Sequence, residues 1–160
     1  MTHSFGTADA VRFLPVTLDA PVAVTVDNDN TNNIGGSTAG TTGDWGTSTG
    51  TGNHGGNYYH DKDAGKGTKT VVFTPNLPSA GDYEVLVWHT THANRATNVP
   101  VDINGSGGTS TVTVNQQANG SQWYSLGTYA FAAGTGGNVT IRTTGTNGYV
   151  VADGVRFVKH

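Results

Sequence analysis

The chain has 160 residues, no cysteine and a net charge of -3, with 12% of its residues charged. That length suits one domain with a real core, and the missing thiols exclude a disulfide framework, a cysteine-ligated zinc and a cysteine nucleophile. Mild acidity without a basic stripe offers no footprint for a nucleic-acid duplex or an anionic membrane, and no apolar run nears the length of a membrane span.

The first element is a repeated phrase. Ala8-Asp9-Ala10-Val11-Arg12-Phe13 returns near the end as Ala152-Asp153-Gly154-Val155-Arg156-Phe157, with five of six positions identical. Self-similarity over a long spacing marks modular arrays. It predicts that residues 1–16 are the C-terminal strand of a preceding repeat or a linker, and that residues 17–160 form a single β-sandwich binding module. Met1 then reads as the start of an excised piece. The alternative is that two strands of one sandwich share a pattern.

Residues 22–26 are the first predicted strand, closed by the turn Asp27-Asn28-Asp29-Asn30. A glycine-rich loop runs through Gly35-Gly36 to about Gly40. Asp44-Trp45 opens a short strand or turn, and residues 50–56 read as loop. Strands follow at 68–74, stopped by Pro75, and at 82–91, the strongest of all. In the latter, Tyr83, Val85, Val87 and His89 alternate with Glu84, Leu86, Trp88 and Thr90, as a central strand requires. Val99, Val101 and Ile103 point inward, a hairpin leads into 109–114, and 123–131, 139–143 and 149–158 complete the set. Short β-branched runs split by Gly, Asn, Asp and Pro predict an all-β sandwich. No window keeps a 3.6-residue apolar period, so no helix is expected. Trp88 and Trp123 are assigned to the core, and Arg12 and Arg156 to pairing with nearby carboxylates.

Catalysis finds little to stand on. Glu84 is the only glutamate, and no serine sits in a nucleophile elbow. His89 and His92 are three apart, which on a strand sends them to opposite faces, so zinc is not expected. The Asp27–Asn30 turn suits calcium better, because hard cations want carboxylate, amide and carbonyl oxygens. The same letters also describe an Asx turn that needs no ion. Asp61 and Asp63 are a weaker alternative. Sugar recognition needs ring faces and fixed polar groups, and loops on a rigid sandwich are where such groups gather. Trp45, Tyr58, Tyr59 and His60 fall in the loop-rich first third, and His92, Asn94 and Arg95 follow the central strand. These seven are the candidate ligand-binding residues. Arg95 would suit the carboxylate of an acidic sugar.

The run Trp88-His89-Thr90-Thr91-His92-Ala93-Asn94-Arg95-Ala96-Thr97-Asn98-Val99-Pro100 resembles that of the golvesin C-terminal-like domain, the domain associated with xanthan lyases. So do Val112–Gln117, Trp123, Leu126-Gly127-Thr128-Tyr129 and Val151–Phe157. The resemblance covers about residues 22–158. It implies a jelly-roll β-sandwich of two antiparallel sheets, similar to galactose-binding domains. It also implies a structural calcium between the first and last strands, which adds Asp153 to Asp27 and Asp29 as metal ligands. The implied role is that of a non-catalytic carbohydrate-binding module of a secreted or cell-surface bacterial protein. The polysaccharide and the covalently linked catalytic or repeat domains would be its partners, and the module itself is expected to be a monomer. A structural or adhesive repeat without a small-glycan site is the alternative.

Overall fold

A computed structural model of the chain describes residues 22–160. The phrase at 8–13, and the expectation for residues 1–16, lie outside the described residues. Twelve strands are described, joined by loops and a single 3-10 turn at Asn30–Asn32. In chain order they are β1 (Ala23–Asp27), β2 (Thr38–Thr42), β3 (Gly46–Ser48), β4 (Tyr58–His60), β5 (Thr70–Thr74) and β6 (Gly81–Trp88). There follow β7 (Val99–Gly105), β8 (Gly108–Val114), β9 (Tyr124–Phe131), β10 (Asn138–Arg142), β11 (Val151–Ala152) and β12 (Gly154–Lys159).

These strands form an all-β sandwich, but not the simple two-sheet jelly roll expected. A four-stranded sheet runs β1-β12-β6-β9 and a five-stranded sheet runs β2-β5-β10-β7-β8. A third sheet, β11-β4-β3, is added beside them. The reason is a break in the final strand, which the sequence presents as one run over 149–158. Val151–Ala152 pairs with β4, and Gly154–Lys159 pairs with β1 and β6, so the chain changes sheets at Asp153.

Period-two alternation fills the core. In β6, Tyr83, Val85 and Val87 are buried while Glu84, Leu86 and Trp88 are half-buried on the other face. Val155 and Phe157 of β12 join them, opposite Val71 and Phe73 of β5 and Val139 and Ile141 of β10. Phe131 stands edge-on to both Tyr83 and Phe157, with ring centroids 6.2 and 5.4 Å away. Each such side chain contributes about 1.5–3 kcal/mol by leaving water. Trp88 is therefore not in the core. It lies on the outer face of its sheet, with Trp123 5.4 Å away and its indole N–H donated to Gly52 O.

The register fixes where the loops meet. Ala23 pairs with Val158 at one pole of the four-stranded sheet, while Asp27, Gly154 and Trp88 line up at the other. The first and last strands thus begin and end at the same pole. The loops that follow β1 and β6, and the Asp153 switch, gather at the opposite pole.

Candidate functional site

Two groups of polar residues occupy that loop pole. The first is buried. Asp27 at the end of β1, His54 from the glycine-rich loop and Asp153 at the sheet switch each bring one ligand atom, all within 4.8 Å of one another. His54 Nδ1 lies 2.7 Å from Asp27 Oδ2, and the His54 backbone N–H donates to both Asp153 oxygens at 3.1 and 3.2 Å. The Asn28 N–H donates to Asp153 O at 2.7 Å, so the last strand is stitched to the first. Both carboxylates are almost fully buried. Burial pushes the Asp153 carboxyl up to about 8; the Asp27 charge adds to the shift, and the His54 N–H opposes it. Two acids and a histidine at this spacing can coordinate a metal ion. Gly55 makes the approach possible: its φ of +68° is left-handed, and a Cβ there would run into Asp27 Oδ2.

The second group forms a rim above the small sheet. Arg95 is fixed by three neutral oxygens. It donates to Asn94 Oδ1 at 3.0 Å, to the Tyr58 hydroxyl at 3.1 Å and to Thr90 Oγ1 at 3.2 Å. Its guanidinium carbon also lies 5.6 Å from the Tyr58 ring centre. His92 Nδ1 and Asn94 Oδ1 are 2.9 Å apart on the exposed loop. His60, on β4, has its ring 6.4 Å from Tyr58 and 6.2 Å from Tyr149. Burial holds its pKa below the usual histidine value, and the Arg95 charge adds to this.

Five of the seven residues expected to bind ligand are therefore brought together: Tyr58, His60, His92, Asn94 and Arg95. Tyr58 is only 7% exposed, so it supports Arg95 instead of offering a ring face to solvent. Tyr59 and Trp45 turn away and pack against the core, the Trp45 N–H bonding Thr42 O. Asp29, expected beside Asp27, caps the 3-10 turn by accepting from the Thr31 N–H and hydroxyl. His54 stands in the cluster where Asp29 was expected. Arg156 finds no carboxylate among the described residues; it lies 4.2 Å over the Trp123 ring and donates to Thr25 Oγ1. Asp61 is buried and engaged by Lys66 at 2.6 Å and by the Asp63 and Val150 N–H groups.

His54, Thr90 and Tyr149 were not singled out from the sequence. Tyr149 meets Arg95 through a parallel bridge across 54 positions (149 − 95), and His54 reaches Asp27 across 27. The one local signal for His54 was the pair of glycines after it.

The golvesin C-terminal domain model matches residues 24–159. A xanthan lyase from Bacillus sp. (strain GL1) is 48% identical over 148 residues, spanning 90% of this chain and 16% of the lyase. The structure of Paenibacillus xanthan lyase is similar with a TM-score of 0.81 at 50% identity, over 86% of this chain and 13% of that one. A Podospora anserina GH26-CBM35 β-(1,4)-mannanase shares the fold, with a TM-score of 0.60 at 17% identity over 86% of this chain and 28% of that one. The chain spans a small fraction of the two lyases it matches. With the sandwich, the switch at Asp153 and the loop after β6 all falling inside the matched region, the chain belongs to the golvesin C-terminal domain family.

Proposed function

We propose that the chain is a non-catalytic carbohydrate-binding module, which holds the rest of a secreted, polysaccharide-active bacterial protein against its glycan. The observation that carries this reading is the rim at the loop pole. A guanidinium held in one orientation, two exposed polar side chains and two half-buried rings sit there on a rigid sandwich. Such fixed donors recognise sugar hydroxyls without reacting with them. The likeness to the lyase segments supports an accessory role within a longer polypeptide. Chemistry on the sugar has little support, since Glu84 lies half-buried in the middle of β6 and glycoside cleavage needs two convergent carboxyls.

A structural divalent cation at Asp27 and Asp153 completes the proposal, with calcium as the ion. The two carboxylates are the hard oxygens that calcium prefers, and the space beside Gly55 leaves Asp27 unobstructed. The imidazole nitrogen is a poor calcium ligand. His54 would serve by its hydrogen bond to Asp27, orienting that carboxylate. The ion would supply the charge that two buried acids lack.

Affinity electrophoresis in gels containing polysaccharides tests the binding role. The protein should be retarded by at least one polymer, and the double variant His92→Ala/Asn94→Ala, both on exposed positions, should lose most of that retardation. Equal mobility in every gel would rule the reading out.

A further inference from the structure

We infer that the chain immediately before Val22 folds back onto the open edge of β1 and adds a short strand there, with Val16 and Leu18 seated in the groove beside it. That segment lies outside the described residues. The edge and the groove that receive it lie within them.

β1 is the outermost strand of its sheet and is paired on one side, with β12. Even-numbered residues face that partner: Val22 O accepts from the Lys159 N–H, and the Asn28 N–H donates to Asp153 O. Backbone groups alternate sides along a strand, so the N–H and C=O of Ala23, Thr25 and Asp27 face away from β12. At Asp27 one amide takes both. The Asn33 side chain accepts from the Asp27 N–H at 2.6 Å and donates to the Asp27 C=O at 3.0 Å. Ala23 and Thr25 have no strand beside them on that side among the described residues. A bare strand edge is a template for another strand.

A groove of about 380 Å³ follows the same stretch, its lining including Ala23, Val24, Thr25, Ile34, Asn76 and Pro78. Ile34 is 80% exposed and Val22, at the entry to β1, is 44% exposed, two of the three large apolar side chains so open among the described residues. Exposed aliphatic groups gathered at one edge mark a surface that something covers. The neighbouring sequence has the matching pattern. Leu14, Val16, Leu18 and Ala20 alternate with Pro15, Thr17, Asp19 and Pro21, the period of a strand with one apolar face. A turn of three or five residues through Pro21 sets odd-numbered residues opposite Ala23 and Thr25. Even-numbered side chains then share the side of Val24, which packs against the core, and enter the groove. The short length of bare edge favours this occupant over a separate molecule. Two residues of backbone are too few to offset the entropy of association, whereas a segment joined directly to β1 meets the edge at high effective concentration. The added strand closes the edge and sets the direction in which the preceding chain leaves the sandwich.

The test is nuclear magnetic resonance of the full, isotope-labelled chain at low and high protein concentration. Nuclear Overhauser contacts should join the methyl groups of Val16 or Leu18 to those of Val24 or Ile34 at both concentrations. The Thr25 amide should exchange with solvent at least about tenfold more slowly than in the double variant Val16→Asp/Leu18→Asp, while the Val26 amide, which faces β12, keeps its rate. The contacts are read on the unaltered chain, so they decide the question even where the variant fails to fold. No contact between the segment and the groove, or Thr25 exchange that is the same in the variant, overturns the proposal. Contacts found between differently labelled chains, and growing with concentration, assign the groove to a second copy and overturn it as well.

Discussion

At Asp153 a fully buried carboxyl lies near Asp27, a second buried acid, with the His54 ring on Asp27 and the His54 backbone N–H on Asp153. Its pKa in the folded chain, about 8, lies far above the ordinary 3.8. The sign of the consequence follows. A raised folded value means the fold prefers the protonated group, so the stabilisation is complete below about pH 4 and disappears as the pH climbs through 8. In a chelator, the melting temperature should therefore fall between pH 5 and pH 8, by an amount equivalent to several kcal/mol at about 1.4 kcal/mol per pKa unit. Calcium should restore it at pH 8, because an ion bound only by the folded form stabilises that form. Asp153→Asn removes the titrating group and should flatten the pH dependence in chelator while abolishing the response to calcium. A melting curve in chelator that does not move between pH 5 and pH 8 would contradict this account of the cluster.

At the scale of elements, the small third sheet depends on a side chain acting as a strand. The buried Gln116 amide donates to Val151 O at 2.7 Å and accepts from the Val151 N–H at 2.8 Å, closing the free edge of β11. Gln116→Ala leaves both backbone groups buried and unpaired, which costs about 1–3 kcal/mol for each. Chemical denaturation should show a loss of about 2–5 kcal/mol, and a loss under 1 kcal/mol would mean that β11 is held by β4 alone. Such elements also explain what was legible from the letters. β6, β7 and β10 were readable because β-branched and aromatic side chains alternate strictly along them. β2 and β4 were hidden: Thr38–Thr42 buries only Ala39, so no period shows, and Tyr58–His60 is too short to carry one. The break at Asp153 was hidden because the residues on either side all favour strands. Within the site, His92, Asn94 and Arg95 were visible as neighbours in one loop. His54, Tyr149 and Thr90 were not, because their contacts are made by topology across the molecule.

For the molecule as a whole, the first described strand starts and the last one ends at one pole, and the proposed binding rim lies at the other. β1 starts beside the end of β12, and the rim and the Asp27–His54–Asp153 cluster lie at the far end. A unit connected at one pole presents the other outward, which suits a module tethered to a larger protein. An end-to-end stalk would instead gain from strands that start and finish at opposite poles. The segments of the two lyases that match this chain make up 16% and 13% of those proteins, so in each lyase the matched unit is a small part of a longer chain. A binding rim as proposed would gain strength through linkage to further binding units, since each tethered contact raises the effective concentration of the next.

The most direct measurement is a nuclear magnetic resonance titration of the isotope-labelled chain with oligosaccharides cut from whichever polymer retards it. Amide shifts should move at residues 58–60, 90–95 and 147–149, and should stay still at Ala23 and Lys159, where β1 starts and β12 ends. Shifts confined to the pole where β1 starts and β12 ends, or none at saturating sugar, would contradict the claim that the loop pole binds glycan.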